Sequence, residues 1–168
     1  MMNEELHNAL NEQMNFEFYS SQVYLSMAAY LSGESLDGFA NFFIVQAEEE
    51  RFHAMKIYQF LNNRGKRATI QGMPTPRNDY KSVLEVYEEG YKHELEVTER
   101  FYHLSDLALN EREHATIQFL KWFIDEQVEE EAMFDAIIQK LKRIDKDSNA
   151  FFMLEAEFAQ RKFTPPAE

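Results

Sequence analysis

Apolar residues recur at helical spacing through most of this 168-residue chain. The periodicity predicts four long helices, at residues 4–32, 36–63, 82–110 and 112–143. Gly33 is the stop signal of the first helix, and Asn63-Arg64-Gly65 is a glycine-type end for the second. Ser82-x-x-Glu85 is a capping box that opens the third. Gly90 inside the third helix suggests close packing, since glycine costs a helix about 1 kcal/mol relative to alanine.

The connections between these helices differ in length. Those after the first and third helices are short, which makes consecutive helices antiparallel. About 17 residues containing Gly65, Gly72, Pro74 and Pro76 lie between the second and third helices. At about 3.3 Å per residue, this segment can span a helix roughly 40 Å long. We therefore expect it to run the length of the bundle and to make the second and third helices parallel.

A fifth, short helix follows Asp145-Lys146-Asp147-Ser148 and precedes the stop Thr164-Pro165-Pro166. Its apolar residues include Phe151, Phe152, Leu154 and Phe158. It is too short to be stable alone, so its apolar face must be buried. Because a four-helix unit is complete without it, we expect burial against other copies of the chain in a closed assembly. The predicted fold is an all-α, left-handed four-helix bundle with a long crossover loop and a short fifth C-terminal helix, in a single domain over residues 1–168.

Composition narrows the possible classes of protein. Apolar residues make up 45% of the chain, enough to bury a sizeable core. It has no cysteine, which excludes disulfide scaffolds, thiolate zinc sites and iron–sulfur clusters. The start lacks the features of a leader peptide and no stretch resembles a membrane span, so a cytoplasmic protein without a membrane partner is expected. A net charge of −13 argues against nucleic acid as a partner and favours attraction of cations.

The candidate chemistry centres on Glu50-x-x-His53 in the second helix. Residues three apart share a helix face, so this carboxylate and this imidazole can bind one metal ion. The mixture of oxygen and nitrogen ligands suits iron, manganese or zinc rather than calcium. The alternative is a solvated acidic face, on which this short motif is common.

An internal repeat favours the metal site. Displacing the chain by the 77 residues that separate Glu17 from Glu94 also aligns Glu50 with Gln127 and His53 with Glu130. Each half thus supplies one helix with a single Glu and a second helix with two ligand-type residues spaced i, i+3. Four helices direct polar groups at one point, which is the known arrangement of ferritin-like di-iron carboxylate bundles.

On these residues, from Glu17 through the fifth helix, the chain resembles the bacterial non-haem ferritins. The resemblance implies that Glu17, Glu50 and His53 hold one iron. It implies that Glu50, Glu94 and Glu130 hold a second iron, with Gln127 nearby and Glu50 bridging the pair. Haem is not expected, because the haem-binding Met of bacterioferritin falls where this chain has Arg51. Animal ferritins resemble the chain less well, since they usually have Ala where Glu130 stands.

The resemblance implies further roles. Glu49, Glu126 and Glu129, with Glu130, match an additional iron site, and the alternative is again a solvated acidic face. Tyr24 matches a tyrosine that can supply an electron to the di-iron site, and its alternative is core packing with a bonded hydroxyl.

The roles of Gln127, Trp122 and the remaining histidines are less closely defined by the sequence. Gln127 either binds the second iron weakly or only donates hydrogen bonds to its ligands. For Trp122, core packing is favoured over a redox role. The remaining histidines are expected to be surface or core residues; they are His7, His93, His103 and His114.

The function implied is that of a ferroxidase, which oxidises Fe(II) to Fe(III) with dioxygen or peroxide and stores the ferric mineral inside a homo-oligomeric cage of about 24 subunits. Two alternatives remain: a di-iron oxidase acting on an organic substrate, and a non-enzymatic metal-binding or metal-free helical bundle. The route by which iron enters is open, because the acidic positions of the three-fold channel in animal ferritins correspond here to Ile117 and Leu120.

Overall fold

The structure is a computed structural model that describes residues 2–146 and 148–165. Its helices are α1 Glu4–Gly33, α2 Asp37–Asn63, α3 Val83–Asn110, α4 His114–Arg143 and α5 Asn149–Ala159. The predicted all-α fold is confirmed, and the ends of the four long helices agree with prediction to within two residues. Asp147 and Pro166, which belong to predicted boundaries, lie outside the described residues. No helix among those described is long and apolar enough to cross a membrane.

The helix ends follow from particular backbone positions. After α2, Gly65 has a φ of 69°, and the amide of Lys66 donates to the carbonyl of Leu61 at 2.9 Å, which closes the predicted glycine-type end. After α1 the prediction was wrong in detail. Gly33 is still helical, and the left-handed residue is Ser35, with a φ of 62°. The chain therefore reverses direction at Ser35, two residues after Gly33.

The long connection, residues 64–82, runs along α1. Near the start of α1, the amide of Thr69 donates to the Asn11 side chain at 2.7 Å. Towards its end, the Ser26 hydroxyl donates to the carbonyl of Arg77, and the rings of Tyr30 and Tyr80 lie 5.3 Å apart. The segment thus crosses the bundle from end to end, so that α3 begins beside the C-terminal end of α1. This confirms the predicted parallel arrangement of α2 and α3.

The expected burial of α5 against other copies of the chain was wrong for most of its apolar face. Phe151 and Phe158 are buried within the same chain, with their rings 5.0 and 5.8 Å from that of Phe39 in α2. The four long helices leave a hydrophobic surface around Phe39 that α5 covers. Phe152 and Met153 point away from it and are 51% and 73% exposed. Only this outer edge of α5 is available to a second subunit.

Two hydrophobic clusters fill the bundle, and polar side chains lie between them on every long helix. One cluster includes Tyr24, Phe42 and Phe134, and the other includes Leu10, Phe101 and Phe123. Six of the buried polar residues form what we call the polar layer; they are Glu17, Glu50, His53, Glu94, Gln127 and Glu130. Burying this many polar groups is unfavourable unless they bind one another or a ligand.

Candidate metal centre

Three ligand-type side chains meet where α1 and α2 face each other. Glu17 projects from α1, and Glu50 and His53 project from successive turns of α2. The Nδ1 atom of His53 lies 3.9 Å from Oε2 of Glu17 and 3.6 Å from Oε1 of Glu50. One ligand atom of each residue lies within 4.8 Å of the others. Within residues 2–146 and 148–165, no other three His, Asp or Glu side chains have this geometry.

Four buried atoms of this group have no hydrogen-bond partner. They are Oε2 of Glu17, both carboxylate oxygens of Glu50 and Nδ1 of His53. The other oxygen of Glu17 accepts a hydrogen bond from Gln13 at 2.6 Å. Unpaired polar atoms are rare in protein cores because they have lost water without gaining a partner. A cation bound by these oxygens and this nitrogen would satisfy all four, and the ligand set fits iron, manganese or zinc.

Helices α3 and α4 supply the other half of the polar layer. The side-chain nitrogen of Gln127 donates to Oε2 of Glu94 at 3.0 Å and lies 3.2 Å from Oγ1 of Thr98. The Tyr24 hydroxyl donates to Oε1 of Glu94. Both oxygens of Glu94 are therefore hydrogen-bonded. In this structure Gln127 acts as a hydrogen-bond donor, which is one of the two roles that the sequence left open.

Glu130 is held from the opposite side of the bundle. Its Oε2 atom accepts a hydrogen bond from the side-chain nitrogen of Gln46 at 2.8 Å. The oxygen of Gln46 in turn accepts from Arg161 at 2.5 Å. Residues of α4, α2 and the segment after α5 are thus joined in one chain of hydrogen bonds.

Burial raises the pKa of the carboxyl groups in the polar layer. The pKa of Glu94 is raised to about 7 and that of Glu130 to about 8, in both cases mainly by burial. Burial and neighbouring carboxylates hold the pKa values of Glu17 and Glu50 well above the ordinary range. Burial and the charge of Glu94 also raise the pKa of Tyr24. A bound cation has the opposite effect on the acids, since it favours their ionised form. Cation binding at this layer should therefore release protons.

The three acids of the predicted additional site differ in exposure. Glu49 is half-buried and accepts a hydrogen bond from Arg161 at 3.1 Å, Glu126 is half-buried, and Glu129 is exposed. Burial raises the pKa of Glu49 and of Glu126, and the charges of Glu129 and Glu49 add to the shift at Glu126. All three are described in the structure, and they do not form a group at metal-ligand spacing. Their role stays a prediction.

Trp122 and His93 pack around the polar layer. The Trp122 ring meets His53 edge to face at 5.4 Å, and the Lys56 ammonium lies 4.6 Å from its centre. His93 stacks on Phe16 at 5.4 Å, and burial lowers its pKa to about 4. The three other histidines outside the layer lie at the surface or bind loop backbone, as expected; His7 lies 3.0 Å from the Arg67 carbonyl, and His103 and His114 are exposed.

Four residues around the polar layer were missed from the sequence: Gln13, Gln46 and Thr98 contact it, and Arg161 reaches it through Gln46. Gln13 had a local signal, because it lies four residues before Glu17 on the same helix face. Gln46 is also four residues before a predicted ligand, Glu50, but it donates across the bundle instead. Arg161 had no signal, since its position depends on where α5 docks.

Comparison with known proteins shows that the chain is similar to ferritins. The family model of the ferritin-like domain matches residues 7–144. A bacterial non-heme ferritin of Staphylococcus saprophyticus is 53% identical over 163 residues, which cover 97% of this chain and 98% of that protein. One of Staphylococcus aureus is 50% identical over the same shares of the two chains.

Solved structures agree with these relatives. An Archaeoglobus fulgidus ferritin engineered into a closed form superposes with a TM-score of 0.95 at 41% identity, and the alignment covers 98% of this chain and 100% of that one. An open-pore ferritin from the same archaeon gives a TM-score of 0.94 at 40% identity over 96% and 99% of the two chains.

Proposed function

This chain belongs to the ferritin family, and from that premise we propose that it is a ferroxidase that oxidises Fe(II) at a di-iron site and stores the ferric product. The observation that carries the proposal is the buried group Glu17, Glu50 and His53, with four ligand atoms that lack any other partner. Iron is the substrate here, held long enough to lose an electron and then passed on.

We assign one iron to Glu17, Glu50 and His53, and the second to Glu50, Glu94 and Glu130. Glu50 suits the bridging role because both of its oxygens are unpaired in the structure. Anionic oxygens stabilise Fe(III) more than Fe(II), so these ligands favour electron transfer to the oxidant.

The second iron must compete with protein donors for its ligands. Gln127 and Tyr24 occupy both oxygens of Glu94, and Gln46 occupies one oxygen of Glu130. We therefore expect weaker binding at the second position than at the first. Weaker binding suits a site that has to release its product, and Tyr24, bonded directly to a ligand of this iron, is placed to supply an electron.

We propose Glu49, Glu126 and Glu129, with Glu130, as an additional iron site beside the pair. It is supported by the family resemblance and by the charges of Glu129 and Glu49, which add to the effect of burial in raising the pKa of Glu126. Replacing Glu49, Glu126 and Glu129 together by Ala should change the ratio of iron oxidised to oxygen consumed and leave the first two ions bound. An unchanged ratio would identify the three as a solvated acidic face.

Storage requires an assembly, because one bundle encloses no space for mineral. The proposal is supported by the solved relatives, one a closed form of a ferritin and another an open-pore ferritin, since a pore needs a wall of protein to pass through. We propose a shell of about 24 subunits, roughly 480 kDa at 20.0 kDa each. Sedimentation of the full chain tests this, and a stable monomer or dimer would contradict storage without affecting the iron site.

Cutting the chain after Lys146 would not test assembly cleanly. That truncation would also expose the surface around Phe39, which α5 covers in the same chain. Substitution of the exposed Met153 by Glu is the sharper probe of a contact between subunits, since 73% of that side chain is exposed in the isolated chain. Leu120, which corresponds to a channel position of animal ferritins, is buried in the core.

The decisive experiment measures oxygen uptake with Fe(II) as the only reductant. A ferroxidase sustains repeated turnover and accumulates ferric mineral. An oxidase that acts on an organic substrate stops after its own site is filled, and a metal-free bundle adds nothing to the uncatalysed oxidation of Fe(II) by oxygen. Either of the last two results would overturn the proposed function. Location in the cytoplasm remains a prediction from the sequence.

A further inference from the structure

The segment that follows α5 lies along α2, beside the polar layer. The Asn41 amide donates to the carbonyl oxygens of Phe158 and Arg161 at 2.8 and 2.9 Å. Further along the segment, the Phe163 ring packs against Phe52, with centroids 6.1 Å apart. Between these two anchors, the side chain of Arg161 reaches residues next to the proposed iron ligands.

The guanidinium of Arg161 has several partners at once. Nη1 donates to the carbonyl oxygen of Phe42 at 3.2 Å, and Nη2 donates to Gln46 at 2.5 Å and to Oε2 of Glu49 at 3.1 Å. It also lies over the Phe42 ring, 4.4 Å from the centroid. The side chains of Arg161 and Glu49 are only 21% and 25% exposed, so water screens this ion pair less than a surface pair.

Arg161 also sets the direction of the Gln46 amide. A guanidinium only donates hydrogen bonds, so Gln46 must present its oxygen to Arg161 and its nitrogen to Glu130. The Arg161 guanidinium therefore contacts Glu49 of the proposed additional site directly. It contacts Glu130, a proposed ligand of the second iron, through the side-chain amide of Gln46.

We propose that Arg161 is an internal counter-cation. Its guanidinium pairs with the carboxylate of Glu49 until iron displaces it, so that the C-terminal segment competes with iron for the additional site. An iron bound by Glu49 would share its carboxylate with the guanidinium, and two cations that close repel each other. Arg161 must therefore move away before iron binds tightly. The inference rests on the proposed function, because it takes Glu49 to be an iron ligand.

Anaerobic titration of the intact assembly with Fe(II), followed by calorimetry, tests the competition without oxidation. Arg161→Gln should tighten the weaker class of Fe(II) sites by about tenfold, the change expected when a charge-assisted hydrogen bond no longer has to be broken. Arg161→Lys keeps the charge and should tighten binding less than Arg161→Gln does. Lys162→Gln removes the same charge from the neighbouring exposed residue and should leave binding unchanged. In a Glu49→Gln background, Arg161→Gln should have no effect.

Several results would overturn the inference. One is unchanged Fe(II) binding in Arg161→Gln, and another is equal tightening in Lys162→Gln, which would indicate a general charge effect. Equal tightening in Arg161→Lys would assign the effect to packing of the segment. A parent that binds two ions, with a third appearing only in Arg161→Gln, would support competition. A parent that binds no Fe(II) would instead contradict the proposed function.

Discussion

Gly90 of α3 lies directly against the ring of Phe134 of α4. A methyl group added at Gly90 would lie 2.6 Å from Cε1 and 3.2 Å from Cζ of that ring. Phe134 is fully buried, and its ring lies 6.2 Å from that of Tyr24, so it has little space into which to move. The glycine that interrupts the third helix is thus a packing requirement of the core next to the polar layer.

Gly90→Ala should lower the melting temperature. Overpacking a core costs about 1–3 kcal/mol, which exceeds the gain of about 1 kcal/mol from helix propensity. Gly33→Ala is the matched control, because a methyl group there would meet nothing within 4 Å. Thermal unfolding followed by circular dichroism measures both. A Gly90→Ala protein as stable as the parent would mean that overpacking costs no more than the gain in helix propensity.

If His53 is an iron ligand as proposed, His53→Ala should slow the first phase of Fe(II) oxidation by about tenfold or more, because loss of a metal ligand weakens binding at least as much as loss of a residue that supports one. Stopped-flow absorbance at limiting iron gives the rate. His103→Ala, an exposed histidine outside the polar layer, should retain the parent's rate. Equal rates in His53→Ala and the parent would remove His53 from the iron site.

Stability of the metal-free protein should fall as pH rises through the range set by the buried acids. The pKa values of Glu94 and Glu130, about 7 and 8, lie above the ordinary 4.5. Between about pH 4.5 and 8 the folded chain therefore binds more protons than the unfolded chain. Their contribution is fully present below about pH 4.5 and is lost as pH rises through about 8. The lowered pKa of His93 has the opposite effect: between about pH 4 and 6.5 it makes stability rise with pH.

Because His93 opposes the two acids, the quantity to compare between variant and parent is the slope of melting temperature against pH. Glu94→Gln combined with Glu130→Gln should flatten the fall in melting temperature between about pH 5 and 8. Replacing the exposed Glu99 by Gln should leave the slope as it is. A double variant with the parent's slope would show that these two acids do not carry the effect.

Comparing Tyr24→Phe with Tyr87→Phe tests the contribution of the Tyr24 hydrogen bond, because both substitutions remove a buried hydroxyl but only that of Tyr24 is hydrogen-bonded. The Tyr24 hydroxyl donates to Glu94, whereas that of Tyr87 is buried without a partner. Tyr24→Phe should cost about 1–3 kcal/mol of unfolding free energy, and Tyr87→Phe should be neutral or stabilising. If Tyr24 supplies an electron, Tyr24→Phe should also change the iron-to-oxygen ratio at unchanged Fe(II) binding. Equal effects of the two substitutions would leave Tyr24 a packing residue.

The polar layer was predictable because its signals are local. The pair Glu50 and His53 shares a helix face at i, i+3, and the repeat extends the argument to the other helices. The contacts of Arg161 were not predictable, since Gln46 and Glu49 lie 115 and 112 residues away in sequence. The docking of α5 was wrong for a related reason: an apolar face indicates that it is buried, but not which surface covers it.

The path of residues 64–82 along α1 bears on the order in which the chain can fold during synthesis. The hydrogen bonds that hold this segment to α1, from Glu4 to Ser26, all lie within the first 80 residues. The α1–α2 hairpin and its crossing segment can therefore form while α3 and α4 are still on the ribosome. Glu17, Glu50 and His53 would then meet first, before Glu94 and Glu130 exist. The proposed first iron position therefore belongs to a unit that is translated before the rest of the proposed site.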